Sequence, residues 1–135
     1  MSTSKVTYLG DLRTQCVHIR SGNSYITDAP TDNHGKGEAF SPTDTVATGL
    51  ANCMLTVMGI KARALQVKLE GSSALVTKIM ASNPRRIARI ELELHLPKQV
   101  GAKEKIILER TGIACPVNQS LHPDIERSIK FNWDI

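Results

Sequence analysis

The chain has 135 residues, of which 41% are hydrophobic and 22% charged, which makes one domain with apolar material for one packed core and excludes wholesale disorder. Its net charge of +4 comes from dispersed basic residues, the densest cluster being Arg85, Arg86 and Arg89, where a nucleic-acid footprint needs a longer stripe. Aromatic residues, at 4%, are too few for a base-stacking platform.

The segment from Met1 to Lys5 leads straight into strand-like sequence with no signal-peptide pattern. No apolar run approaches the roughly 20 residues of a membrane helix, so the expectation is a cytoplasmic protein. Three short strands are predicted over about 5–10, 12–20 and 23–28, the last two joined by a turn at Ser21-Gly22. On the second strand Arg13 shares a face with Val17 and Ile19, whereas Arg20 shares the other with Thr14, Cys16 and His18. The first face is more apolar, so Arg13 is the arginine expected to point at a core or pocket, where it needs an anion. Cys16, on the polar face, reads as a bystander. A polar loop over 29–40, holding His34 and Lys36, is a candidate lid.

Ser41-Pro42-Thr43-Asp44 is a helix start: Ser41 can accept from the first N–H groups, Pro42 suits the first helical position, and Asp44 opposes the positive helix end. The helix is expected to reach Ala64. From Val46 to Ile60 it carries no charge, and a helix apolar all round must be covered on all sides. A chain this small does that with difficulty, which suggests a partner subunit. Gly49 and Gly59, costly in a helix, suggest close approach of another backbone.

Beyond Gly71 the period changes to two. Ile90, Leu92, Leu94 and Leu96 alternate with Arg89, Glu91, Glu93 and His95, a half-buried strand whose expected partner is 74–80 across a turn at Ser82-Asn83-Pro84. A helix over 102–111, a short helix opened by Cys115-Pro116 and ending near Leu121, and a last strand bearing Ile129, Phe131, Trp133 and Ile135 complete a βββ-α-ββ-αα-β order, an α+β domain.

Cysteines fall at 16, 53 and 115, an odd number without a Cys-x-x-Cys pair, and the four histidines show no ligand spacing. Neither a disulfide framework nor a zinc site is indicated. What remains is inert buried cysteine or thiol chemistry. Cys53 lies mid-helix, where a small core residue is the simplest reading. Cys115 lies at a helix start, where the dipole stabilises a thiolate, which by this local argument makes it the attacking thiol. A reactive thiolate needs a nearby cation, itself fixed by an anion.

The segment from Phe40 through Ser41-Pro42-Thr43-Asp44 to Asn52-Cys53, followed by Cys115-Pro116-Val117-Asn118-Gln119-Ser120-Leu121, resembles the OsmC/Ohr family over nearly the whole chain, including the Pro84-Arg85-Arg86-Ile87 turn. The resemblance implies antiparallel sheets packed on a long central helix in an intertwined homodimer. It implies a thiol-dependent peroxidase that reduces organic hydroperoxides in oxidative-stress defence, recycled by an external dithiol without metal or organic cofactor. By the resemblance Cys53 is the peroxidatic cysteine and Cys115 the resolving one. Arg13, with Arg20 as alternative, is the thiolate-stabilising arginine, and Asp44 is the acid that holds it. Other members carry Glu at that position or one residue earlier, where this chain has Thr43. Asp44 and Cys53 lie nine residues apart, hence about 13 Å apart on opposite helix faces, so Asp44 can serve only the Cys53 site of a twofold partner. Met54, Met58 and Phe40 are candidate apolar neighbours of an organic substrate. Two other readings stay open: a non-catalytic dimer binding a small ligand, and a thiol redox sensor.

Overall fold

The computed structural model describes residues 1–135 and divides into two units, Met1–Val46 and Ala47–Ile135. In the first, β1 (Ser4–Gly10), β2 (Arg13–His18) and β3 (Ser24–Asp28) form an antiparallel sheet in chain order. Strand β2 is shorter than the predicted 12–20. Gly10, Asp11 and Leu12 all take positive φ in a tight reversal, and at the other end the backbone closes from Gly22 N–H to the His18 carbonyl at 2.8 Å. The hairpin register sets Arg13 directly opposite Asp28 and Cys16 opposite Tyr25.

The polar loop 29–40 is closed rather than open-ended. The Asp28 N–H donates to the Phe40 carbonyl at 3.0 Å, joining the two ends, and a single 3-10 turn, Thr31–Asn33, sits inside. Gly35 is required there by space: a Cβ at that position would overlap the Ala29 carbonyl.

Helix α1 (Pro42–Ala64) starts as predicted. Ser41 Oγ accepts from the Asp44 N–H at 3.1 Å while Asp44 Oδ2 accepts from the Ser41 N–H at 2.9 Å, a reciprocal cap that satisfies two backbone donors. By length and composition α1 also matches a membrane span, so the apolar stretch is longer than expected from the sequence. The stripe Ala47, Leu50, Ala51, Met54, Met58 and Ala62 is nevertheless buried in a protein core. Val46 and Ile60, off that stripe, are exposed, and a Cβ at Gly49 or Gly59 would meet no atom of the chain.

In the second unit β4 (Ser73–Ala81), β5 (Arg86–Leu96) and β6 (Glu126–Trp133) form a sheet in that order. Here the expectation of antiparallel sheets needs correction: β4 and β5 are antiparallel, but β5 and β6 run parallel. The connection through α2 (Ala102–Ile113) and α3 (Pro116–Ser120) is long enough for the crossover that parallel neighbours require. Ile90, Leu92, Leu94 and Leu96 are buried, as their alternation predicts. A register shift opposite Ile79 and Met80 leaves Ala88 as an extra residue, which lets Ile87 join the same apolar side as Ile90. The core consists of this face, the α1 stripe, Val100, Leu108 and Cys115, with Ile129, Phe131 and Trp133 among the side chains packed against it. Trp133 Nε1 donates to Glu109 Oε2 at 3.0 Å, tying β6 to α2.

Candidate functional site

Cys53 sits on α1 beside the buried stripe and is half-buried; Cys115 caps α3 and is 1% exposed. Both are free thiols, and they are neighbours close enough to influence one another, separated by 62 positions in the chain. The elements that bring them together are legible. Gly112, at the end of α2, lies on the methionines of the α1 stripe, where a Cβ would stand 2.9 Å from Met58 Sδ and 3.4 Å from Met54 Cε. The absent side chain lets the end of α2 settle against α1 close to Cys53. Pro116 then opens α3, with Cys115 as its capping residue.

The hydrogen bonds around Cys115 define its electrostatics. Its Sγ accepts from the Asn118 N–H at 3.4 Å, which favours the thiolate. Burial nevertheless pushes the Cys115 thiol above its ordinary range, and the adjoining Cys53 thiol pushes it the same way. Burial therefore works against the helix-start argument for an acidic Cys115. A helix of one turn offers too little dipole to offset the loss of water.

Arg127 was missed in the sequence, and it organises this corner. Its Nε donates to Asn118 Oδ1 at 3.0 Å and its Nη2 to the Asn118 carbonyl at 3.2 Å. Further bonds reach the carbonyls of Leu121 (3.3 Å), His122 (3.2 Å) and Ile125 (2.6 Å). Asn118 Nδ2 closes the ring by donating to the Ile113 carbonyl at 2.7 Å. The guanidinium from β6 thus clamps the turn that presents Cys115. No local sequence signal distinguishes it, because its partners are mostly backbone carbonyls.

In the first unit Arg13 is half-buried, whereas the alternative, Arg20, is exposed in a turn; burial along β2 does not follow strand parity, since Thr14 and Cys16 are as covered as Arg13 and Ile19 is exposed. The anion beside Arg13 within the chain is Asp28 and not Asp44. Arg13 Nε donates to Asp28 Oδ1 at 2.7 Å and Nη2 to Oδ2 at 2.8 Å, with Glu38 Oε1 at 3.7 Å from Nη2. The Asp28 side chain is 2% exposed, and the Arg13 guanidinium holds its carboxyl below the usual carboxylate range. Asp44 does what the sequence of the helix start requires and caps α1. The predicted turn would have missed Asp28: a two-residue reversal at Ser21-Gly22 sets position 30 opposite position 13, whereas the observed reversal, residues 19–22 between His18 and Asn23, sets position 28 there. Cys16 stands opposite Tyr25 across the strands.

Fold and thiols together define the class: an α+β protein whose two distant, reduced cysteines are neighbours. The family follows from comparison. The description of the OsmC-like protein family matches residues 35–130, and the chain belongs to that family. Among solved structures, a Psychrobacter arcticus protein named for osmotic stress induction and detoxification response is 50% identical, with a TM-score of 0.94 over 97% of this chain and 96% of that one. An organic hydroperoxide resistance protein OsmC from Legionella pneumophila shares the fold at 16% identity, with a TM-score of 0.75 over 98% of each chain. Another organic hydroperoxide resistance protein, from Elizabethkingia anophelis, does so at 14% identity, with a TM-score of 0.74 over 98% of this chain and 96% of that one. No curated protein matches the chain.

Proposed function

We propose that the protein is a cytoplasmic thiol peroxidase that reduces organic hydroperoxides to alcohols. The observation that carries the reading is the pair of reduced, adjacent thiols, one half-exposed and one buried. Family membership and the hydroperoxide resistance named for two structural relatives support it.

The Cys53 thiolate attacks the terminal oxygen of the hydroperoxide. The O–O bond breaks, the alkoxide leaves and takes a proton as alcohol, and Cys53 becomes a sulfenic acid. The Cys115 thiol then displaces that oxygen, which leaves as water, and a Cys53–Cys115 disulfide forms. An external dithiol is oxidised in returning both sulfurs to thiols. The order follows exposure: the partly exposed sulfur meets the substrate, and the buried one, whose protonated form burial favours, waits for the sulfenic acid. In a homodimer, Arg13 of one chain serves the Cys53 of the other, stabilising the thiolate and orienting the peroxide oxygens.

Stopped-flow consumption of tert-butyl hydroperoxide in the presence of a dithiol reductant tests the assignment. Multi-turnover consumption is expected from the wild type and none from Cys53→Ser. Cys115→Ser should complete one turnover and then over-oxidise at Cys53. Full turnover by Cys53→Ser would contradict the reading. Oxidation without turnover would favour a redox sensor, and a co-purified ligand without thiol oxidation would favour a binding module.

A further inference from the structure

The resemblance assigns the acid that fixes Arg13 to the start of α1, yet inside the chain the guanidinium is gripped elsewhere. Asp28 takes the Nε and Nη2 edge with two bonds of 2.7 and 2.8 Å, the side-on geometry in which a carboxylate fixes both position and plane. Asp28 is itself held. Its backbone N–H bonds the Phe40 carbonyl at 3.0 Å, and its Oδ2 accepts a further N–H from Glu38 at 3.2 Å. A buried carboxylate with this many partners is a rigid anchor, and the closing of the loop 29–40 is built on it. Nη1 takes part in none of these bonds, so its two N–H groups are available to a ligand oxygen or sulfur.

We propose that Asp28 is the positioning residue of the Arg13 guanidinium, fixing its Nε–Nη2 edge so that the Nη1 side is presented in one orientation to thiolate and peroxide. The inference rests on the thiol-peroxidase reading and adds to it a residue outside the Ser41–Asp44 helix start. Lys36 and Glu38, from the same loop, set the remaining charge around the pair: Lys36 supports the ionised Asp28 and Glu38 the charged Arg13.

The test is a double-mutant cycle on hydroperoxide kcat/KM, with the Arg13 Nε–H signal followed by NMR. Asp28→Asn is expected to lower kcat/KM roughly 10- to 100-fold, the cost of a misplaced catalytic group, and to erase the protected Nε–H signal. Asp28→Glu, which keeps the charge, should recover to within about threefold of wild type. In an Arg13→Lys background, which already lacks the fork, Asp28→Asn should add little, because both changes remove the same grip. A purely structural Asp28 would show neither the rescue nor the non-additivity. If Asp28→Asn does not fold, Asp28→Ser is read on the same scale: a loss of roughly tenfold or more with the Nε–H signal erased supports the inference, and activity within about twofold of wild type overturns it. A wild type that consumes no hydroperoxide defeats the underlying function. An active wild type with Asp28→Asn within twofold of it defeats this inference alone.

Discussion

At the scale of single residues, Cys115 and Asp28 are displaced in opposite directions, the first chiefly by burial and the second by a neighbouring charge. Cys115 is pushed up by burial, so its neutral form is the one that stabilises the fold. That contribution is fully present below the ordinary thiol value of about 8.5 and is lost as pH rises toward and through the folded value. Guanidinium unfolding of the reduced protein between pH 7 and 10 should therefore show the wild type losing stability faster than Cys115→Ala as pH rises. Parallel curves would place the Cys115 thiol in its ordinary range. Asp28 is the reverse case, since Arg13 depresses its value. Its contribution is present above the ordinary aspartate value of about 3.9 and lost as pH falls through the folded one. The acid limb of stability should flatten in Asp28→Asn, measured by thermal melts from pH 6 downward.

Among the elements, the turn from α2 into α3 decides whether a second thiol reaches the first. Gly112 allows the helix to approach the methionines of α1, and Arg127 pins the turn through Asn118. Arg127→Ala leaves the Cys53 environment in place but frees the segment that carries Cys115. The sulfenic acid should still form at the wild-type rate, while disulfide closure slows roughly 10-fold or more, read as longer-lived trapping by dimedone. Unchanged closure would reduce Arg127 to a structural tie. Most elements could be read from the sequence because their signals are local: the Ser41–Asp44 cap, the alternation of Ile90 to Leu96, and the Cys115-Pro116 helix start. The parallel pairing of β5 with β6 could not be read, since alternation gives a strand its faces and not its direction. The effect of burial on Cys115 was also out of reach, because it depends on how closely α2 packs. Asp28 lay between these cases, readable only after the hairpin register was fixed.

On the scale of the whole molecule, α1 is the feature that one chain leaves incomplete. One stripe is buried, while Ile60 is 68% exposed and lines an apolar groove of about 730 Å³ with Leu55, Val67 and Leu69. Gly49 and Gly59 meet nothing in their own chain. In a lone chain, Gly→Ala at either position adds roughly 0.5–1 kcal/mol of helix stability. In the proposed homodimer, with a partner backbone close by, Gly49→Ala instead overpacks the contact. The expected cost is then about 1–3 kcal/mol, or a roughly 5- to 150-fold weakening of self-association by sedimentation. A stabilised Gly49→Ala chain with unchanged association would remove this glycine from the interface.

The chemistry reduces to whether oxidation by an organic hydroperoxide passes from residue 53 to residue 115. Peptide mapping by mass spectrometry, after one equivalent of tert-butyl hydroperoxide is added to the reduced protein, reads this directly. The account predicts loss of two hydrogens and a cross-linked peptide pair joining Cys53 to Cys115, with Cys16 still alkylatable. An unreacted Cys53, or a Cys53 carried to sulfinic acid beside a free Cys115, would contradict it.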